Sequence, residues 1–221
     1  ACAYNTELQK DPNVRALKES DAYPAMAERG YGWEKLMSEM FCQEYWAERG
    51  MKTAIARFHN VYGPNGTWDG GREKAPAALS RTVIEAVDSG ELKMDIWGDG
   101  HQTRSFMYID DCTVGIDMIM HCDDLIATPI NLGSSELVSI NVLVDIIEEI
   151  AGVKLEREYL LDAPRGVAGR NSDNTFIQQM LGWEPDMPLR EGMAKTFAWI
   201  KEQYADRKAG KPTPAGDKEG H

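Results

Sequence analysis

The chain has 221 residues, of which 43% are hydrophobic and 27% charged, enough for one large domain or a domain and a half with a buried core. Its 24 basic and 36 acidic residues give a formal net charge of −12, which disfavours nucleic acids and anionic membranes as partners. Since no apolar run approaches the roughly 20 residues of a membrane span, and the first residues do not resemble a signal peptide, we expect a soluble, cytoplasmic protein.

Cysteines and histidines give no sign of a metal centre or a redox pair. The cysteines, at positions 2, 42, 112 and 122, form no C-x-x-C pair, and the histidines lack the spacing of metal ligands. Three of the cysteines lie in apolar helical patterns, where cysteine is normally a small buried hydrophobe. Cys2 lies in the opening A-C-A-Y, outside any helical pattern, so that interpretation does not cover it. We predict no metal site.

The first elements predict a helix followed by a buried strand. Residues 25–49 have the apolar spacing of an amphipathic helix that Gly50 ends, and 53–64 form a mostly apolar run before Gly-Pro. This order is typical of a parallel sheet with helical crossovers. A glycine-rich loop over 63–76 and a helix from about Pro76 to Ser89 follow.

The middle of the chain predicts short strands around another helix. Residues 94–100 and 103–109 form two short strands on either side of a turn. Asp110 and Asp111 are the predicted N-cap residues of a helix that runs to about Cys122, because Asp oxygens accept hydrogen bonds from first-turn amides. P-I-N-L-G, at 129–133, predicts a buried strand beside I-A-R-F-H-N-V.

The last part predicts mostly helices and an unstructured tail. An amphipathic helix over 138–152 precedes a strand over 155–160. A polar loop over 165–174 and two helices, at about 174–182 and 189–205, follow. The segment 206–221 has no apolar face, so we expect it to be disordered.

Tyr31 and Lys35 stand four residues apart in Y-G-W-E-K, which places the phenol and the ammonium on one face of a helix. They could therefore bind one ligand and act as a hydride-transfer pair. The same spacing arises by chance about once in a few hundred residues. Taken alone, these five residues favour an ordinary half-exposed helix.

Four segments in order resemble the extended short-chain dehydrogenase/reductase superfamily that modifies nucleotide sugars: Y-G-W-E-K, R-F-H-N-V-Y-G-P, W-G-D-G-H-Q-T-R-S-F-M-Y-I-D-D and N-L-G-S. Within it, the opening A-C, G-T-W-D-G-G-R-E-K-A-P-A-A and G-R-N-S-D-N resemble the GDP-mannose 3,5-epimerases. The resemblance covers residues 1 to about 205. With it, the catalytic interpretation of Tyr31 and Lys35 becomes the favoured one.

The sequence also departs from this family. It has no G-x-G-x-x-G after a strand, whereas the family carries that turn in roughly another hundred upstream residues. The resemblance therefore implies an N-terminally truncated chain, which we expect to be inactive as given. The family's serine would fall just before Ala1, and Asn5 replaces the usual proline.

The resemblance implies an α/β fold: the C-terminal part of a Rossmann-type parallel sheet with an interleaved smaller substrate-binding lobe. We expect 1–63 and 104–134 to form a partial NAD-binding domain. The nucleotide-sugar lobe would comprise 64–103 and 135–205. The implied cofactor is NAD, the implied partner is a GDP-sugar, and the full-length enzyme would be a homodimer.

The implied reaction epimerises a hexose at C3 and C5. Oxidation of C4 to a ketone makes the neighbouring protons acidic. Tyr31 would remove the C4 hydroxyl proton while Lys35 holds the nicotinamide ribose and lowers the pKa of the phenol. Cys2 would be the base and Lys74 the acid on opposite faces of the ring. Without the resemblance, a core cysteine and a solvated loop lysine are the ordinary interpretations.

The resemblance also implies contacts with the substrate. Asn60 and Glu73 would bind sugar hydroxyls, and Gln102 and Thr103 belong to the same implied substrate site. Guanidinium groups match phosphate oxygens, so the candidates for the diphosphate are Arg104 and Arg170. Surface salt bridges are the alternative role of these arginines.

Two other functions stay open. A nucleotide-sugar 4-epimerase or 4,6-dehydratase also passes through a 4-keto sugar. The resemblance implies that these enzymes have Thr, alone or with an acidic pair, at the position of Cys2. Alternatively, the chain is a truncated module without catalysis that binds a nucleotide sugar weakly or not at all.

Overall fold

The computed structural model describes residues 2–11, 13, 15–163 and 166–213. In chain order, the first elements are α1 (Tyr31–Arg49), β1 (Ile55–Phe58), β2 (Val61–Tyr62), α2 (Ala75–Ser89), β3 (Lys93–Trp97), β4 (Thr103–Ser105) and β5 (Met107–Tyr108). They are followed by α3 (Ile109–Met120), β6 (Pro129–Leu132), β7 (Leu137–Ser139), α4 (Ile140–Ala151), β8 (Glu156–Leu160), β9 (Gly169–Arg170), α5 (Thr175–Leu181) and α6 (Leu189–Lys208). Short 3-10 helices span Thr6–Gln9, Glu19–Ala22 and Asp123–Leu125.

The chain forms two compact units. The first unit contains Ala1–Val61, Thr103–Leu137 and Gly166–Asp186, and the second contains Tyr62–Gln102, Val138–Arg165 and Met187–His221. Strands β2 and β7 each span a boundary between them.

The first unit is organised around parallel strands. β1 pairs with β6 from Ile55 opposite Pro129 to Phe58 opposite Leu132, which confirms the predicted pairing of these two segments. β4 and β9 form a second parallel pair. Buried apolar side chains from α3, α5, β5, β6 and the 3-10 helix Asp123–Leu125 pack into one core: Met107, Cys112, Ile119, Leu125, Ile130, Leu132 and Ile177. Parallel strands with helical crossovers are the predicted α/β arrangement.

The second unit packs three helices together beside a parallel strand pair. β3 and β8 pair from Lys93 opposite Glu156 to Trp97 opposite Leu160. Helices α2, α4 and α6 contact one another. Ser139 caps α4, because its hydroxyl accepts a hydrogen bond from the Val142 amide.

Several element boundaries differ from the predicted ones. α1 begins at Tyr31 rather than residue 25, because Gly30 has a φ of +74°, which no α-helical residue adopts. The N-cap of α3 is Tyr108, so the N-cap prediction for Asp110 and Asp111 was wrong. Both carboxylates lie in the first turn instead, where their negative charges interact favourably with the positive end of the helix dipole.

The C-terminal part also departs from the prediction. Strand β9 lies inside the segment 165–174 that was predicted as a loop. Helix α6 continues through Lys208, whose ammonium binds both carboxylate oxygens of Asp88 at 2.7 Å. The disorder predicted from residue 206 was therefore wrong for the first residues of that tail, and 214–221 lie outside the described residues.

The predicted division differs from these units at residues 62–63, 103, 135–137 and 166–186. Residues 166–186 cluster with the first unit, not with the smaller lobe, because β9 pairs with β4 and α5 packs against β6. The functions assigned to the two parts stay predictions. Among the described helices, none is both long and apolar enough to cross a bilayer.

Candidate active site

Cys2 lies against the first turn of α1. The Glu28 amide donates a hydrogen bond to the Cys2 carbonyl oxygen at 3.3 Å, and the Gly32 amide donates to the Glu28 carbonyl at 3.1 Å. A Cβ atom on Gly32 would lie only 2.4 Å from the same Cys2 oxygen. The glycine of Y-G-W-E-K thus allows the Cys2 backbone to approach the helix, one residue from Tyr31.

Tyr31 and Lys35 share one face of α1, as their spacing predicts. The Lys35 Nζ atom lies 4.8 Å from the centroid of the Tyr31 ring. Tyr31 is 58% exposed, and the Lys35 side chain is 42% exposed. A hydrogen bond to Glu34 at 3.0 Å raises the pKa of Lys35, which keeps the ammonium charged.

A buried arginine lies beside the Cys2 thiol. The Nη1 atom of Arg170 is 3.8 Å from the Cys2 Sγ atom. Arg170 is 7% exposed, donates from Nε to the Gln9 side chain at 2.6 Å, and forms an ion pair with Glu28. Gln9 and Glu28 therefore hold the guanidinium of Arg170 next to the Cys2 thiol.

Arg104 lies directly opposite Arg170 in the parallel pair of β4 and β9. Its Nη1 atom donates to the Thr103 carbonyl and its Nη2 atom to the Val167 carbonyl, both at 2.7 Å. Burial and the positive charge of Arg170 lower the pKa of Arg104 to about 10, while Glu28 opposes this shift. Two neighbouring guanidinium groups create a positive region that suits an anion.

Asn60 connects the end of β1 to the segment that carries β4 and β5. Its φ of +44° is left-handed, a region that Asn enters more readily than most residues. The side-chain Nδ2 atom donates to the Ser105 carbonyl at 3.0 Å, and the Asn60 carbonyl accepts from the Met107 amide at 3.2 Å. The predicted contact of Asn60 with sugar hydroxyls stays a prediction.

A buried polar cluster that the sequence interpretation missed lies behind this site. Tyr4 donates to the Oδ1 atom of Asn131, and the Nε2 atom of His59 lies 3.2 Å from the same oxygen. Nearby, Arg57 and Glu39 form a buried bidentate pair at 2.9 and 2.7 Å. Burial lowers the pKa of His59 well below its usual value, so the ring is neutral. Polar residues inside the apolar run R-F-H-N were the available signal.

In the second unit, Lys74 is the N-cap residue of α2 and is exposed. Its carbonyl accepts hydrogen bonds from the amides of Ala77 and Ala78, both at 3.0 Å. The preceding Glu73 has a side chain only 6% exposed, bound to Arg81 at 3.0 Å and to the Gly71 amide at 2.7 Å. Burial opposes ionisation of Glu73, but these hydrogen bonds outweigh it and lower its pKa.

Gln102 and Thr103 follow one another across the boundary between the units. The Nε2 atom of Gln102 donates to the Trp97 carbonyl at 2.9 Å. Its Oε1 atom is buried and has no hydrogen-bond partner within the part of the chain that the structure describes. The Thr103 amide donates to the Ala168 carbonyl at 2.9 Å, which continues the β4–β9 pairing.

The structure thus brings six predicted residues into the first unit: Cys2, Tyr31, Lys35, Asn60, Arg104 and Arg170, with Thr103 at its edge. Glu73, Lys74 and Gln102 belong to the second unit. Across the described ranges, no group of three His, Cys, Asp or Glu side chains could hold a metal ion.

Residues 2–133 match the model of the NAD dependent epimerase/dehydratase family. The chain belongs to this family. Over 208 residues it is 45% identical to GDP-mannose 3,5-epimerase 1 of Oryza sativa subsp. indica, which covers 94% of the chain and 53% of that protein. The chain therefore spans about half the length of this relative.

Solved structures of related enzymes share the fold. UDP-glucose 4-epimerase from Thermotoga maritima, solved with UDP-glucose, is 26% identical with a TM-score of 0.74 over 91% of this chain and 62% of that one. UDP-glucuronic acid 4-epimerase from Bacillus cereus, solved with UDP-glucuronic acid and NAD, is 25% identical with a TM-score of 0.68 over 90% of this chain and 60% of that one. These neighbours confirm the predicted Rossmann-type α/β fold class.

Proposed function

We propose that this chain supplies the oxidising and proton-exchanging residues of a GDP-mannose 3,5-epimerase. The enzyme would interconvert GDP-D-mannose and GDP-L-galactose through a 4-keto sugar. The observation that carries the proposal is the Cys2 thiol, 3.8 Å from the Arg170 guanidinium, on a backbone that packs against α1 next to Tyr31. The 45% identity to the rice enzyme supports this particular reaction.

The first step oxidises C4. Tyr31 accepts the C4 hydroxyl proton, and Lys35, on the same helix face, keeps a positive charge next to the phenol. Bound NAD would supply the hydride acceptor. Both side chains are exposed and offer a hydroxyl and an ammonium group, which fits the nicotinamide ribose end of that cofactor.

The second step exchanges protons at C3 and C5. The ketone makes these C–H bonds acidic, because the negative charge left behind is shared with the C4 oxygen. Cys2 removes the proton, and Arg170 stabilises negative charge on the sulfur. Lys74 donates a proton to the opposite face of the ring, which inverts the carbon.

The arginine pair suggests a division of labour in anion binding. Arg170 is bound to Glu28 and Gln9 and contacts the Cys2 thiol. Arg104 lies beside it, and the Thr103 and Val167 carbonyls orient its guanidinium. Because Arg170 is engaged with the thiol, we assign the diphosphate of the GDP-sugar mainly to Arg104. Contacts of Asn60, Glu73, Gln102 and Thr103 with the substrate, and a homodimer, remain predictions.

A nucleotide-sugar 4-epimerase is the second candidate, because the Thermotoga and Bacillus neighbours are UDP-sugar 4-epimerases. A 4-epimerase returns hydride to the other face of C4 and needs no base at C3 or C5. The Cys2–Arg170 contact has no function in that reaction, so it favours the 3,5-epimerase.

Deuterium uptake from heavy water tests the choice. Because the chain spans 53% of the rice relative, the assay uses an enzyme in which these residues replace the matching part of that relative; we call it the joined enzyme. Recovered GDP-sugar should carry deuterium at C3 and C5. Turnover of a UDP-sugar at C4 without uptake of deuterium would instead support the 4-epimerase.

Cofactor binding separates both enzymes from a module without catalysis. The sequence holds no glycine-rich turn for the NAD pyrophosphate, so we expect the 221-residue chain alone to bind NAD⁺ weakly and to be inactive. The joined enzyme should bind NAD⁺ and reduce it when GDP-mannose is added. A joined enzyme that binds NAD⁺ without any reduction would favour the module.

A further inference from the structure

Arg81, on α2, is bound to the loop that precedes Lys74. Its Nη2 atom donates to Glu73 at 3.0 Å, and its Nε atom lies 3.5 Å from a carboxylate oxygen of Asp69. The Nη1 atom binds Glu85, one turn further along the helix, at 3.0 Å. One guanidinium therefore holds two carboxylates of the loop 68–73 against the helix whose N-cap is Lys74.

The other end of this loop is held from α6. Trp68 is fully buried, and the guanidinium carbon of Arg207 lies 3.9 Å from the centroid of its ring. Arg207 also binds the second carboxylate oxygen of Asp69 at 2.5 Å. The loop is thus fixed at Trp68 and Asp69 by α6, and at Asp69 and Glu73 by α2.

The loop contains two glycines in left-handed backbone conformations. Gly70 and Gly71 have φ values of +97° and +84°, a region that glycine enters without strain but at a high cost in conformational entropy. Asp69 accepts a hydrogen bond from the Gly70 amide, and Glu73 accepts one from the Gly71 amide, both at 2.7 Å. The two carboxylates that order the glycines are the two that Arg81 binds.

We propose that Arg81 is a positioning residue that sets the place of Lys74 through Glu73. Glu73 is the residue next to Lys74, and both of its carboxylate oxygens are engaged within the loop and α2. Through these contacts it acts as the anchor of Lys74. This inference rests on the proposed function, in which Lys74 is the proton donor.

Backbone dynamics of the 221-residue chain test the structural part. In Arg81→Gln, we expect the amide order parameters of Gly70, Gly71 and Lys74 to fall from about 0.85 to below about 0.6. Arg81→Lys should restore part of the order. The matched control is Arg157→Gln, because Arg157 also binds two carboxylates of its unit, Asp145 and Glu148, away from this loop. Unchanged order parameters in Arg81→Gln would overturn the proposal.

Kinetics of the joined enzyme test the catalytic part. Arg81→Gln should slow formation of the inverted sugar by about 10- to 100-fold, with KM for GDP-mannose and the rate of NAD⁺ reduction within about twofold, since only proton delivery by Lys74 is misplaced. Arg81→Lys should recover part of the inversion rate, and Arg157→Gln should retain it. An equal loss of reduction and inversion would indicate a merely structural role and overturn the proposal.

Lys74→Ala distinguishes this inference from the proposed function. If Lys74→Ala forms the inverted sugar at the normal rate, the assignment of Lys74 as the acid is wrong, and the inference about Arg81 falls with it. If Lys74→Ala blocks inversion while Arg81→Gln leaves it unchanged, the proposed function stands and the positioning role of Arg81 is wrong.

Discussion

The α-carbon of Gly32 packs against the carbonyl oxygen of Cys2, at a distance that leaves no room for a side chain. A Cβ atom at residue 32 would lie 2.4 Å from that oxygen and 3.1 Å from the Cβ of Ala27. The glycine between Tyr31 and Lys35 therefore couples the candidate oxidising pair to the candidate carbon base through backbone contact.

Gly32→Ala should destabilise the chain by about 1–3 kcal/mol, because the new methyl group meets a backbone atom that cannot turn aside. Urea denaturation measures this change in the free energy of unfolding. Gly66→Ala is the control, since its Cβ would meet only one atom, at 3.4 Å. An equally small effect of both substitutions would contradict the close approach.

Arg170→Gln should slow alkylation of Cys2 by iodoacetamide by about fivefold. Loss of a positive charge near a thiolate removes an interaction on the order of 1 kcal/mol at the effective dielectric of a partly exposed site. Arg170→Lys, which keeps the charge, should retain most of the rate. Peptide mass spectrometry resolves Cys2 from the other cysteines, and a Gln variant as reactive as the parent would refute the contact.

Cys2→Ala and Tyr31→Phe should separate the two chemical steps in the joined enzyme. Cys2→Ala should abolish deuterium uptake at C5 and leave C4 oxidation, because Tyr31 still accepts the hydroxyl proton. Tyr31→Phe should stop both, since no ketone forms. Cofactor absorbance follows oxidation, and mass spectrometry of the sugar follows exchange. Normal uptake in Cys2→Ala would mean that another group is the base.

Arg104→Gln should weaken binding of GDP to the 221-residue chain by about tenfold or more, because a charge-assisted hydrogen bond to phosphate contributes about 1.5–3 kcal/mol. Titration calorimetry measures the dissociation constant. Lys52→Gln is a suitable control, as its exposed ammonium binds Asp123 at 2.7 Å, away from the arginine pair. Equal losses of GDP affinity in both variants would show that the overall positive charge matters and that Arg104 makes no specific contact with GDP.

The stability of the second unit should depend on pH through Glu148. Burial of this 2% exposed carboxylate opposes ionisation, but Arg157, Lys154 and the Leu155 amide outweigh it and lower its pKa. A depressed folded-state pKa stabilises the protein above the unfolded value of about 4.3 and loses this effect as the pH falls through the folded value.

Glu148→Gln should therefore reduce the free energy of unfolding at pH 7. It should also flatten the decline in stability that the parent chain shows as the pH falls below about 4.3, by the contribution of one titrating carboxylate. Urea unfolding at several pH values measures both. Glu136→Gln serves as the control because it replaces another carboxylate. An unchanged slope in Glu148→Gln would show that this carboxylate does not titrate differently on folding.

Local patterns in the sequence were enough to predict most of the elements and the α/β class. The apolar spacing of α4 predicted a helix with one buried face, and the continuous apolar run at β1 predicted a buried strand. The four-residue spacing of Tyr31 and Lys35 likewise predicted their common helix face, which the 4.8 Å contact bears out.

Only the tertiary structure decided which distant residues meet. Cys2 and Arg170 are 168 positions apart, and their contact depends on the β4–β9 pairing inside a segment that reads as a polar loop. Arg81 and Glu73 read as surface charges, yet the fold buries one carboxylate between an arginine and a glycine amide. Sequence periodicity reports the burial of a single element, whereas charge partners across elements arise from packing that no local pattern encodes.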